Sequence, residues 1–103
     1  MLFRSKLGPR QLLCELAQPE GSEGAGSGGD GCAVDTQGNI YITTGLGVQV
    51  ISPGGERLGI IEFPEHPANV TFGGRKLDTL YVTARTGLYR AKMSSRGHRF
   101  TGE

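Results

Sequence analysis

Ile40-Tyr41-Ile42-Thr43 and Leu80-Tyr81-Val82-Thr83 are two stretches of the same residue types, separated by an offset of 40 residues. Gly47-Val48 and Gly87-Leu88 follow them at the same offset. β-Branched and aromatic residues are enriched in strands, and the glycines mark turns. Chance similarity between β-rich stretches would not keep residue type, turn glycine and strand order together. A repeat near 40 residues with up to four short strands per unit is typical of β-propeller blades.

The sequence therefore predicts an all-β fold of about two blades, each an antiparallel four-stranded sheet. The predicted strands run from Cys32 to Asp35, Asn39 to Thr44, Val48 to Ile51, Arg57 to Phe63, Asn69 to Phe72, Thr79 to Ala84 and Leu88 to Met93. The second unit has no fourth strand, because the sequence after Met93 is not strand-like. Cys32-Ala33-Val34 aligns with Val70-Thr71-Phe72 if the second hairpin loop is two residues longer.

Shorter features complete the division of the chain. Ser52-Pro53-Gly54-Gly55 places Pro and Gly at the central positions of a type II turn. We interpret Leu12 to Leu16 as the outer strand of a preceding blade, followed by a loop rich in Gly and Ser. The predicted units are residues 1–29 (the end of a preceding blade plus the loop), 30–64 (a blade), 65–100 (a last, incomplete blade) and 101–103 (a tail).

Two blades leave large apolar faces in water, since at least about three repeats are needed for stability. We therefore expect the chain to be a fragment that needs the missing blades, or self-association, to become stable. This expectation concerns the apolar faces of the predicted sheets and does not depend on any function.

Composition excludes several classes of partner. The chain has 11 Lys and Arg against 10 Asp and Glu, so it lacks the basic field of a nucleic-acid or anionic-membrane binder. Cys14 and Cys32 match no zinc or redox spacing, and we expect free cysteines that behave as small core hydrophobes, with a disulfide as the alternative. We read no signal peptide or transmembrane segment, which predicts a cytoplasmic protein.

Four motifs carry a resemblance to a known family, over about Gly29 to Phe100. The motifs are Asp30-Gly31-Cys32-Ala33-Val34-Asp35 with Gly38-Asn39-Ile40-Tyr41-Ile42-Thr43; Gly47-Val48-Gln49-Val50-Ile51-Ser52-Pro53 with Gly55-Glu56-Arg57-Leu58-Gly59; Pro67-Ala68-Asn69-Val70-Thr71-Phe72-Gly73-Gly74; and Leu80-Tyr81-Val82-Thr83-Ala84-Arg85-Thr86-Gly87-Leu88-Tyr89-Arg90. Together they resemble the C-terminal end of the senescence-marker-protein/gluconolactonase/luciferin-regenerating-enzyme-like (regucalcin-like) family of six-bladed propellers.

The resemblance implies a hydrolase that opens small-molecule lactones, typically of sugar acids, with one divalent cation in the central channel. Calcium is the expected cation, with zinc, magnesium or manganese as alternatives. Of the family's Glu, Asn and Asp ligands, only the Asp of a late Asp-Gly turn maps here, onto Asp30. Gly29 stands where the family's pattern usually has Pro.

Asp30 is therefore the candidate catalytic and metal-binding residue. It precedes an innermost strand, and its carboxylate suits a hard cation and can act as a base for water. From chemistry alone, an Asx-turn is the favoured alternative. Asn69, at the matching place in the second unit, is the candidate substrate-binding residue, with a turn role as its alternative. His66 and His98 match no zinc motif.

The leading hypothesis is the C-terminal portion of a metal-dependent lactonase, inactive as an isolated chain because one carboxylate does not hold calcium tightly. The alternative is a non-catalytic propeller fragment that acts as a binding or interaction module, because a fold does not determine a function.

Overall fold

The computed structural model of the protein describes residues 8–20 and 28–99. This part of the chain is all-β and contains no helix, which confirms the predicted fold class. The strands are β1 (Cys32–Val34), β2 (Ile40–Thr44), β3 (Gly47–Ile51), β4 (Arg57–Ile61), β5 (Pro67–Gly73), β6 (Thr79–Ala84) and β7 (Gly87–Lys92). Each one overlaps a strand predicted from the sequence.

The strands form two antiparallel sheets, one of four strands in the order β1-β2-β3-β4 and one of three in the order β5-β6-β7. Their registers repeat: Tyr41 lies opposite Val50, and Tyr81 lies opposite Arg90. Val34 pairs with Ile40 and Phe72 pairs with Leu80, so the second hairpin is longer by the two residues that the alignment required. The 40-residue repeat is therefore a structural repeat.

The core lies between the two sheets. Tyr41 and Val48 of the first sheet bury their side chains against Val70, Leu80 and Val82 of the second. The Tyr41 ring meets the Phe72 ring edge-to-face, with centroids 5.0 Å apart. Full burial of each aliphatic side chain stabilises the fold by roughly 1.5–3 kcal/mol, so this single layer holds the two sheets together.

The segment after β7 returns to the first sheet. Gly97 forms an isolated antiparallel bridge with Asp35, and the His98 N–H donates to Val34 O at 3.0 Å. This pairing follows the free edge of β1. In the described part of the chain the second sheet has no fourth strand, as the sequence after Met93 predicted. Residues 101–103, the predicted tail, lie outside the described residues.

The turn between β3 and β4 differs from the prediction. The Gly55 N–H donates to Ser52 O at 2.9 Å, which closes a four-residue turn. The positive φ of 94° lies at Gly55 and not at Gly54, where a type II turn requires it. The type II prediction was wrong. The turn is followed by a glycine in the left-handed region, and a register shift between Val50 and Ile51 accompanies it.

The strand predicted at Leu12 to Leu16 is not formed. The backbone of Ala17 instead pairs with the side-chain amide of Gln49: Ala17 N–H donates to Gln49 Oε1 at 3.0 Å, and Gln49 Nε2 donates to Ala17 O at 2.8 Å. A buried side chain therefore satisfies the backbone that a neighbouring strand would have paired. The assignment of residues 1–29 to a preceding blade stays a prediction, and residues 1–7 and 21–27 lie outside the described part.

The prediction for the cysteines is confirmed for their free thiols and wrong for their place in the core. Both are free thiols, but Cys14 is half-buried and Cys32 is exposed, so neither is a core residue. Cys32 is exposed because β1 presents it on the face of the first sheet that points away from the second sheet. The described residues form no helix long and apolar enough to cross a membrane.

Candidate functional site

Asp30 lies at the point where the chain enters β1. Its N–H donates to Thr43 O at 3.1 Å, and the next N–H, that of Gly31, donates to Thr43 Oγ1 at 3.0 Å. These bonds extend the pairing of β1 with β2 up to the Asp-Gly turn. The residue itself is exposed. The turn therefore fixes the backbone of Asp30 and leaves its carboxylate accessible from solvent.

Asn69 lies beside this turn, on β5 of the second sheet. A Cβ at Gly31 would overlap the Asn69 side chain and lie 3.0 Å from Asn69 Cα, so only glycine fits at position 31. Asn69 Oδ1 accepts the N–H of Val70 at 2.8 Å, and the residue is exposed. The structure therefore brings the two predicted site residues to neighbouring places at the same end of the two inner strands.

Thr43 is a positioning residue that the sequence analysis missed. It is fully buried, and its hydroxyl donates to Ala68 O at 3.1 Å while it accepts from the Gly31 N–H. One side chain thus joins the turn that carries Asp30 to the strand that carries Asn69. The sequence signal for this role is the place of Thr43 in the repeated motif. That signal does not distinguish Thr43 from Thr83, which occupies the same place in the second unit and is exposed.

The donors at this end are oxygen atoms of a carboxylate and an amide, which are the kinds of ligand that calcium prefers. Among the described residues, however, no three His, Cys, Asp or Glu side chains come together as a metal site. His66 is an exposed loop residue whose Nε2 would lie 3.8 Å from a Cβ at Gly28. The residues fit calcium in chemical type and supply only part of the 6 to 8 oxygen ligands that it takes.

A cavity of the described structure lies elsewhere. Its volume is about 660 Å³. It opens along β1 and β5 and reaches Leu77, His98 and Arg99 at the end of β1 opposite to Asp30, and Asp30 does not line it. His98 is therefore separated from the candidate site by the length of β1. The cavity has a mostly apolar wall, and its size alone gives no reason to place chemistry there.

Asp35, at the far end of β1, is a buried carboxylate with a structural role. It accepts hydrogen bonds from the N–H groups of Gln37 and Asn39 at 2.9 Å each, from Asn39 Nδ2 at 3.1 Å and from the Tyr41 hydroxyl at 3.0 Å. Burial raises the pKa of Asp35, but the hydrogen bonds from Asn39, Tyr41 and Gln37 outweigh it, and the pKa is lowered. Since all its partners are backbone and side-chain donors of the same hairpin, we assign no chemistry to it.

The fold and this site together define an all-β protein of repeated antiparallel blades, with an acidic Asp-Gly turn ahead of an inner strand. A family described as the SMP-30/gluconolactonase/LRE-like region matches residues 4–86. The chain belongs to this family. The match begins upstream of Gly29, the start of the resemblance, and ends at Thr86, directly before β7.

Individual relatives agree with this family. The chain is 40% identical to a 6-deoxy-6-sulfogluconolactonase of Pseudomonas putida, over 75% of this chain and 26% of the relative. It is 29% identical to a gluconolactonase of Zymomonas mobilis, over 85% of this chain and 25% of the relative. A solved X-ray structure, described as that of a gluconolactonase, has a TM-score of 0.66 and 37% identity, and the match covers 69% of this chain and 24% of that one. The chain thus spans about a quarter of the length of the curated relatives that it matches.

Proposed function

We propose that this chain is the C-terminal portion of a metal-dependent lactonase of the gluconolactonase type, with Asp30 as its contribution to the active site. The observation that carries the proposal is the Asp-Gly turn. Asp30 is exposed at the entrance to an inner strand, in a family whose named relatives hydrolyse gluconolactones, and Asn69 lies beside it. The proposed cation is calcium, because the donors at this end are oxygen atoms.

When bound, the cation would polarise the lactone carbonyl. The carboxylate of Asp30 has two proposed roles, ligand and base. As a base it takes a proton from the attacking water, the oxygen of that water bonds to the carbonyl carbon, and the ring C–O bond breaks. The proton then returns to the departing ring oxygen, so the product is an open hydroxy acid. The proposed role of Asn69 is to hold the substrate through its amide.

The test is a hybrid protein in which residues 30–99 replace the matching section of the Pseudomonas putida relative. We expect the hybrid to hydrolyse the relative's lactone in a calcium-dependent manner, and Asp30→Asn to lower kcat by about 100-fold or more, as loss of a catalytic base does. Asp78→Asn is the matched control, because the Asp78 carboxylate pairs with the exposed Lys92 at 3.2 Å, in the β5–β6 turn and away from Asp30. Equal kcat values for the Asp30→Asn hybrid and the parent hybrid, at equal melting temperature, would contradict the proposal.

A second candidate function is a non-catalytic interaction module. The observation that favours it is the set of large apolar side chains exposed on the described sheets, in particular Leu58 and Leu88. In this case the hybrid would fold but hydrolyse nothing with either residue at position 30, so the same experiment separates the two functions.

A further inference from the structure

Each sheet has one face that the other sheet does not cover. The open face of the second sheet, here called the trailing face, contains Thr71, Tyr81, Thr83, Leu88 and Arg90, since these residues pair across its strands on one side. The open face of the first sheet, here called the leading face, contains Cys32, Val34, Ile40, Ile42 and Ile60 by the same reasoning. The two faces point in opposite directions along the repeat.

The trailing face repeats positions that are buried in the first sheet. Val48 is 0% exposed, whereas Leu88, at the equivalent position, is 69% exposed. Thr43 is likewise fully buried, whereas Thr83 is exposed. The first sheet buries these positions against the second sheet. The second sheet presents the same residue types with nothing from the described part of the chain over them.

On the leading face, residues of the first sheet are more exposed than their equivalents in the second sheet. Leu80 and Val82 are fully buried between the sheets, whereas their equivalents Ile40 and Ile42 remain partly exposed. Val70 is 5% exposed, and Cys32, its equivalent, is exposed. The segment at Ala17 covers β3 on this face through Gln49. In the part of this face formed by β1 and β2, Cys32 is exposed and Ile40 and Ile42 are partly exposed.

From these equivalences we infer that the trailing face of one copy docks on the leading face of a second copy of this chain. The interface between the two sheets of a single chain is the template, because there a face with the residues Tyr41, Thr43 and Val48 already accepts a face with Val70, Leu80 and Val82. Such a contact joins two different surfaces, so it is head-to-tail, and it closes into a ring if the rotation allows. The inference does not depend on the proposed lactonase activity.

The docking also brings residues of one copy next to Asp30 of the other copy. Within one chain, Thr43 binds Ala68 O and Asn69 packs against Gly31. The equivalent contacts between copies join Thr83 to the carbonyl of Asp30 in the next copy, and Asn69 to Gly31 of the next copy. Asp30 of the second copy therefore lies beside Asn69 of the first.

The test is sedimentation equilibrium of the 103-residue chain and two variants, each with one face blocked. The wild-type mass should rise above the monomer value of 10.9 kDa as concentration increases. Leu88→Glu blocks the trailing face and Cys32→Glu blocks the leading face, so each variant alone should stay at 10.9 kDa. An equimolar mixture of the two should form a 1:1 pair, because each keeps the face that the other needs. Leu12→Glu, at an exposed leucine that belongs to neither sheet, should associate as the wild type does.

A wild-type chain that remains at 10.9 kDa at all concentrations overturns the inference and leaves further sheets of a longer polypeptide as the occupants of both faces. Self-association of either variant alone also overturns it, because it indicates that like faces meet. The substituted residues are exposed, so both variants should keep the wild-type melting temperature. If one fails to fold, amide hydrogen exchange of the wild type replaces it: exchange in β1 and β7 should slow with concentration, and unchanged exchange overturns the inference.

Discussion

At the scale of single residues, the Asp35 carboxylate anchors the β1–β2 hairpin. It is 2% exposed and accepts four hydrogen bonds from three residues of this hairpin. The Tyr41 hydroxyl also lies 3.0 Å from Ser95 Oγ, which ties the returning C-terminal segment to the same group. An ionised acceptor with this many donors is satisfied only in its charged form.

Asp35→Asn should destabilise the fold by about 2 kcal/mol, because an amide replaces a charged acceptor and points its own N–H groups at buried donors. The free energy of unfolding in urea checks this. Asp78→Asn makes the same chemical change at a surface ion pair with Lys92 and should have a much smaller effect. Equal effects of the two substitutions would show that the Asp35 network does not stabilise the hairpin.

The stability of the chain at acidic pH should depend on the same carboxylate, that of Asp35. The pKa of Asp35 is lower in the folded chain than its ordinary value of 3.8, so its contribution is fully present above that pH. The contribution is lost as the pH falls through the folded pKa, because protonation removes the charged acceptor. Stability measured against pH should therefore decline below about pH 4, and Asp35→Asn should decline less steeply. A variant profile parallel to that of the wild type would contradict this assignment.

Thr43→Val should destabilise the chain by about 1–3 kcal/mol, since it leaves the Gly31 N–H without its side-chain acceptor and Ala68 O without its donor. Thr36→Val, at an exposed position of the β1–β2 turn, is the control and should change little. Thermal unfolding of both variants measures the difference. Equal stabilities would show that the hydroxyl of Thr43 does not join the two sheets.

At the scale of elements, every strand from β1 to β7 could be predicted, because runs of β-branched, aromatic and apolar residues stand between turn signals and recur at the repeat. The type of the turn between β3 and β4 could not be predicted in this way. Pro53, Gly54 and Gly55 are compatible with two turns that differ in which glycine takes a positive φ, and the choice depends on how β4 pairs with β3. The strand predicted at Leu12 to Leu16 failed because a strand needs a partner backbone, and Ala17 meets the side chain of Gln49.

The candidate site was predictable in part from the sequence. The position of Asp30 before an inner strand follows from the repeat, and so does the matching place of Asn69. The role of Thr43 was not predictable, because the sequence repeats this threonine at Thr83 and only the packing of the second sheet distinguishes the buried copy from the exposed one.

Gly55→Ala should destabilise the β3–β4 hairpin by roughly 1–2 kcal/mol, the usual penalty for an L-residue in the left-handed region. A Cβ there would also overlap the carbonyl oxygen of Leu13. Gly54→Ala is the matched control, because a Cβ at position 54 would meet only Ser52 Oγ, at 3.9 Å. Chemical denaturation measures the free energy of unfolding of both variants. A larger loss of this free energy for Gly54→Ala would indicate that the turn is of type II.

At the scale of the whole molecule, the chain spans about a quarter of the length of its curated relatives and carries one candidate carboxylate ligand at the described site. We therefore predict that purified residues 1–103 have no calcium-dependent hydrolysis of gluconolactone above the spontaneous rate. The rate is measured by acid release at constant pH, with and without calcium. Calcium-dependent turnover by this chain would contradict the proposal that the rest of the active site lies elsewhere.

The most direct test of the central claim, that Asp30 is a cation ligand of a gluconolactonase-type site, is calorimetric titration of the folded hybrid protein with calcium. We predict one calcium ion bound per hybrid, and an affinity lowered at least about 10-fold by Asp30→Asn, since loss of a charged ligand weakens oxygen-ligand sites. Asp78→Asn should leave the affinity unchanged. Equal calcium affinities of the parent hybrid and the Asp30→Asn hybrid would contradict the claim.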